Sequence, residues 1–129
     1  MARINRFEDL DAWKMAREIT KDIYRLSRKG EFSRDFAFRD QICRSAVSIM
    51  SNVAEGFERD GDREFINFLS IAKGSAGETR SLLCVALDQN YISEMDYESI
   101  NHRLIENARL IAGLSNYLRA SKVGGLKFK

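Results

Sequence analysis

Residues 41–78 read QICRSAVSIMSNVAEGFERDGDREFINFLSIAKGSAGE, and the fold turns on this stretch. In its first half Ile42, Ala46, Ile49 and Val53 recur at intervals of four and three, and in its second half Phe65, Leu69, Ala72 and Ala76 do the same. That spacing places each set on one face of a helix. Between them Asp60, Gly61 and Asp62 supply turn chemistry, with Asp62 as a candidate cap, so the two helices fold back and their apolar faces meet. In a tight hairpin, positions whose numbers sum to about 121 lie opposite. Ile49 then faces Ala72, Arg44 comes level with Glu78 and Ser48 with Lys73.

Upstream, Ala12, Ala16, Ile19, Ile23 and Leu26 form the core stripe of a first helix from about Leu10 to Arg28, stopping near Gly30. Steps of about 100° per residue put Lys14, Arg17, Lys21, Arg25 and Arg28 on the opposite side, a five-member basic ridge. Trp13 and Tyr24 mark an aromatic flank; Glu18 and Asp22 on the other flank are placed to pair with the ridge. Ser33 or Asp35 caps the second helix, which opens at Phe36 and carries a second apolar column at Cys43, Val47, Met50 and Ala54.

Downstream, the third helix continues through Thr79, Leu83 and Ala86. Gly74 and Gly77 sit inside it at about 1 kcal/mol each relative to alanine, a cost that predicts close approach of a neighbouring backbone. Ser93 and Asp96 make a capping box for a fourth helix, whose core column of Tyr97, Ile100, Leu104, Ile111, Leu114 and Leu118 is interrupted by Asn107. The expected domain is a bundle over residues 1–122 followed by a flexible basic tail over 123–129, with adjacent glycines and the lysines Lys127 and Lys129. Four long amphipathic segments with short connections predict an all-α, antiparallel up-down-up-down four-helix bundle. Trp13 and Tyr24, the second column of the second helix, and Phe68 and Ile71 lie off its seams and predict self-association.

Composition narrows the function. Proline is absent, which suits uninterrupted helices, and 31% charged against 44% hydrophobic residues is ordinary for helices with wetted outer faces. No run reaches the roughly 18 to 20 apolar residues of a membrane span and no secretory leader is legible, so the expectation is a cytoplasmic protein without membrane contact. Cys43 and Cys84 read as reduced core thiols. A net charge of +2, from 21 basic and 19 acidic side chains, argues nothing about nucleic acid unless the charges are segregated.

No catalytic constellation is present. His102 is the single histidine, and Glu98, His102 and Glu106 step by fours along one helix, whereas di-metal bundles draw Glu-x-x-His pairs from two. No phosphate-cradling glycine loop occurs, and one histidine leaves a Ser or Cys nucleophile little choice of base. The expectation is a protein that is no enzyme and uses neither metal nor cofactor. The polar set Arg44, Ser48, Asn52, Glu55, Lys73, Ser75 and Glu78 reads first as a structural network across the hairpin and second as a ligand pocket. The ridge reads first as a solvated face and second as a phosphate-tracking surface with strong salt dependence.

At Gln41 to Gly56 and Glu64 to Glu78 the chain resembles the 23S rRNA intervening-sequence protein family, bacterial four-helix bundles encoded within large-subunit ribosomal RNA genes. Gln41, Ile42, Arg44, Ala46 to Ile49, Ser51, Asn52 and Ala54 to Gly56 carry the first motif; Glu64, Phe65, Phe68, Leu69, Ile71, Ala72, Gly74, Ser75 and Glu78 carry the second. Phe7 to Leu10 with Trp13 matches the family's opening. Met50 stands where the family has proline, and Cys43 where it has arginine. The resemblance implies a homopentameric ring, related in architecture to the accessory proteins of diversity-generating retroelements, which bind nucleic acid and a reverse transcriptase.

The leading expectation is therefore an oligomer that binds ribosomal or other structured RNA through Lys14, Arg17, Lys21, Arg25 and Arg28 with Lys127 and Lys129. The alternative is an adaptor whose partner is a protein, such as a reverse transcriptase or a ribosome-associated factor, held through Trp13 and Tyr24 without nucleic-acid contact.

Overall fold

A computed structural model describes residues 4–121. After a short 3-10 helix at Phe7–Asp9 come four α-helices: α1 (Asp11–Ser27), α2 (Phe36–Glu58), α3 (Asp62–Asp88) and α4 (Glu94–Ala120). The expected tail over 123–129, with Lys127 and Lys129, lies outside the described residues.

Hydrogen bonds between neighbouring helices fix their directions. Thr20 reaches the Ala46 carbonyl while Ser27 lies by Cys43; Thr79 reaches Ser45 while Ser75 meets Ser48; Cys84 lies by Tyr97 while Arg80 reaches Asn101; and Asn107 reaches Ala12 while Arg103 reaches Asp22. In every pair one number rises as the other falls. Each helix is thus antiparallel to its neighbours, and the bundle closes with α4 against α1. The predicted stripes meet inside: Ile19, Ile23, Ile42, Ile49, Leu69, Leu83, Leu104 and Ile111 are all 1% exposed or less.

Helix ends follow local chemistry. The Asp35 carboxylate accepts from the Phe38 amide and the Ser93 hydroxyl from the Asp96 amide, stopping two orphan donors at the starts of α2 and α4. α3 departs from expectation. Its cap position is Gly61, at a φ of 86° that favours glycine, and Asp62 is the first helical residue with no side-chain cap. Its far end is closed by Asn90 at φ 62°, with Asn90 N–H donating to the Leu87 carbonyl and Tyr91 N–H to that of Ala86, the paired bonds of a Schellman stop. One end of the bundle is plugged by aromatic rings, Phe32 lying 5.2 Å from Tyr91 and 5.7 Å from Phe38.

Two packing expectations are corrected. Gly74 and Gly77 have nothing within 4 Å of where a Cβ would stand; the glycine at a close approach is Gly56, where a Cβ would lie 2.7 Å from Phe68 Cβ. Cys43 is buried, but Cys84 is exposed rather than in the core. The second column of α2, expected off the seams, is mixed: Val47 is 37% exposed and Met50 and Ala54 are half-buried, while Cys43 is buried.

Candidate nucleic-acid interface

The core stripe of α1 buries Ala16, Ile19 and Ile23, and a straight helix then has no choice but to hold Lys14, Arg17, Lys21, Arg25 and Arg28 outward, where all five are exposed. They span about 21 Å at 1.5 Å per residue, with neighbours roughly 5–6 Å apart.

Part of this charge is matched. Lys21 lies 3.5 Å from Glu18 and Arg25 3.2 Å from Asp22, both pairs well exposed on the basic side and so of small energetic weight. Asp22 is drawn further inward by Arg103 of α4 at 2.7 Å, a tie between helices that the periodicity of α1 alone does not reveal. Partial burial works against the charged form, but hydrogen bonds from Arg103 and then Arg25 outweigh it and hold the Asp22 carboxyl below the ordinary carboxylate range. Among the described residues, Lys14, Arg17 and Arg28 form no ion pair. The two arginines instead lie over rings, Arg17 at 5.6 Å from the Trp13 centroid and Arg28 at 5.9 Å from that of Tyr24.

The polar set of the α2–α3 hairpin comes together only in part. Ser48 and Ser75 hydroxyls meet at 2.8 Å, and Asn52 donates to the Ser48 carbonyl at 2.8 Å and to its hydroxyl at 3.0 Å. Beneath them Thr79 donates to Ser45 at 2.9 Å, a buried link missed in the sequence because both residues resemble filler on an apolar face. The expected pairs of Arg44 with Glu78 and Ser48 with Lys73 do not form. Ser48 meets Ser75 and Ser45 meets Thr79, so the register is offset from the expected one by two to three residues. Arg44 faces solvent and meets Asp40 at 2.9 Å, and Glu55 meets Arg59 at 3.0 Å; Lys73 and Glu78 are likewise exposed. What remains is a short hydroxyl-and-amide chain that ties two helices, without a convergent charged pocket.

Of the residues expected at an oligomer interface, Tyr24 is 37% exposed. Trp13 is half-buried beneath Phe7, 5.2 Å away, and Phe68 is half-buried with Arg59 5.0 Å over its ring. Ile71, also expected off the seams, is 52% exposed, and Phe36 at 68% and Val85 at 41% are accessible apolar side chains that the periodicity does not single out. Among the described residues no group of three or more His, Cys, Asp or Glu is placed to hold a metal ion, and no helix is long and apolar enough to cross a membrane.

These features define an all-α four-helix-bundle protein with a cationic ridge along one outer edge. The chain belongs to the 23S rRNA-intervening sequence protein family, whose family model matches residues 8–113. It is similar to a crystallised protein of unknown function from the S23 ribosomal protein family of Bacteroides thetaiotaomicron, with 29% sequence identity, a TM-score of 0.73, and coverage of 81% of this chain and 97% of that one. Among curated proteins none matches the chain.

Proposed function

We propose that this protein is a cytoplasmic, non-enzymatic, homo-oligomeric bundle that binds ribosomal or other structured RNA through the α1 ridge. The observation that carries the reading is the segregation of charge. A chain of net charge +2 sets five cations along one edge of one helix, and Lys14, Arg17 and Arg28 there are in no ion pair among the described residues. Such a row tracks phosphates without reading bases. Copies of the row in an oligomer, pentameric on the family resemblance, multiply a weak site by raising its effective concentration. Accessible Ile71 and Val85 support self-association. The adaptor reading has less support, since Phe7 and Arg17 occupy much of the Trp13 surface it relies on.

The test is fluorescence anisotropy with labelled ribosomal RNA fragments at two salt concentrations. Binding should weaken steeply with salt, and the double variant Lys21→Glu, Arg25→Glu should lose affinity and flatten the salt slope. Absence of binding in low salt, or an unchanged slope in the variant, refutes the assignment.

A further inference from the structure

At the end of the ridge the surface changes character. The last turns of α1 and the first turns of α2 enclose an open hollow of about 590 Å³ lined by Tyr24, Arg28, Phe36 and Arg39, with Ser27 and Cys43 at its base. A second hollow of about 650 Å³ shares Tyr24 and Arg28 and runs along α1 to Arg17. Phe36 is the conspicuous side chain. Its neighbours Phe32, Phe38 and Tyr91 stack on one another in the plug, whereas Phe36 is 68% exposed, with the Arg39 guanidinium 5.4 Å from its centroid. Arg39 is itself steadied by donating to the Ser33 carbonyl at 2.9 Å. Tyr24 and Arg28 repeat the ring-and-guanidinium pairing on the opposite wall.

The hollows are also cationic. Their two carboxylates are already engaged, Asp40 by Arg44 at 2.9 Å and Asp22 by Arg103 at 2.7 Å. A duplex has no use for exposed rings, because its base faces are covered by their neighbours and its phosphates are what it presents along the backbone. Unpaired bases offer free faces that stack on aromatic rings and guanidinium planes, while the phosphates between them meet the cations.

We propose that the α1–α2 groove takes an unpaired polynucleotide strand, with Phe36 and Tyr24 stacking bases and Arg28 and Arg39 holding the adjoining phosphates. This rests on the RNA-binding reading and specifies the strand state recognised.

The test uses the full chain and labelled oligonucleotides of equal length: single-stranded RNA, single-stranded DNA and duplex RNA. Single strands of either sugar should bind more tightly than duplex. Phe36→Leu, which keeps an apolar side chain and removes the ring, should weaken single-strand binding about 5- to 150-fold with an unchanged salt slope and leave duplex binding as it was. Phe36→Trp should retain binding, and its fluorescence should be quenched on titration with unlabelled strand. Since Phe36 is exposed, circular dichroism of both variants should match the wild type. Equal affinity for duplex and single strand, insensitivity to Phe36→Leu, or equally effective competition by a glutamate-rich peptide overturns the groove assignment and leaves the ridge standing. Failure of every nucleic acid to bind in low salt overturns both.

Discussion

Glycine to alanine at three positions should give opposite signs. In a solvent-facing helix interior the substitution stabilises by about 1 kcal/mol, because alanine loses less backbone freedom on folding. Gly74 and Gly77 meet that condition, with nothing within 4 Å of a new Cβ. Each alanine variant should therefore gain about 0.5–1 kcal/mol. At Gly56 the same methyl would stand 2.7 Å from Phe68 Cβ, 3.0 Å from Phe65 Cδ1 and 3.3 Å from the Phe65 carbonyl oxygen. The first of these atoms is fixed to the α3 backbone and cannot swing aside, so the start of α3 must move away from α2. Overpacking of this kind costs roughly 1–3 kcal/mol, and the upper end applies where backbone must shift. Set against the propensity gain, the net loss should be about 1–2 kcal/mol. Urea unfolding followed by circular dichroism reads all three variants, at protein concentrations low enough to expose any dependence on assembly. A Gly56→Ala variant as stable as wild type would refute the claim that the helix hairpin is closed on that glycine. Loss of stability in Gly74→Ala or Gly77→Ala that grows with protein concentration would show another copy of the chain packed over that face.

Further predictions concern polar groups that tie helices together. Asn107 is fully buried, its Nδ2 donating to the Ala12 carbonyl at 2.9 Å while its Oδ1 has no partner, so Asn107→Leu should change stability by no more than about 1 kcal/mol. Asn107→Asp should cost about 3 kcal/mol or more at pH 7 and less at pH 5, because burial raises the pKa of the new carboxyl and its neutral form can still donate; equal stability at both pH values would contradict this. Asp22, with its pKa lowered by Arg103 and Arg25 against the opposing effect of burial, contributes stability that is present above about pH 4 and is lost as pH falls through the folded value. Asp22→Asn should therefore be less stable than wild type at pH 7, with the gap closing as pH falls below the ordinary carboxylate range in urea titrations; a gap unchanged in strong acid would count against the ion pair.

The residues that mattered for the fold were local and repetitive, and so they could be read in order. A four-and-three alternation needs no partner to be recognised, and it placed Ile19, Ile49, Leu69 and Leu104 in the core. Ser93, Asp35 and the Asp60–Gly61 break act within a few residues of themselves, which made helix starts and the hairpin legible. The ridge was legible for the same reason: once one face of α1 is apolar, geometry sends the other outward.

Whatever depends on how one helix slides along another was decided by tertiary structure. A register offset of two to three residues joined Ser48 to Ser75 rather than to Lys73, and the crossing of α2 and α3 put the close approach at Gly56. Nothing in the periodicity could supply that offset, because shifting a whole stripe along its axis leaves its pattern unchanged. The bond from Arg103 to Asp22 and the hollow shared by Tyr24 and Phe36 likewise exist only once α4 and α2 have packed beside α1. Sequence by itself determined which faces are apolar and which are charged; packing alone determined which side chains on those faces meet, because contact across helices depends on registry that no single helix encodes.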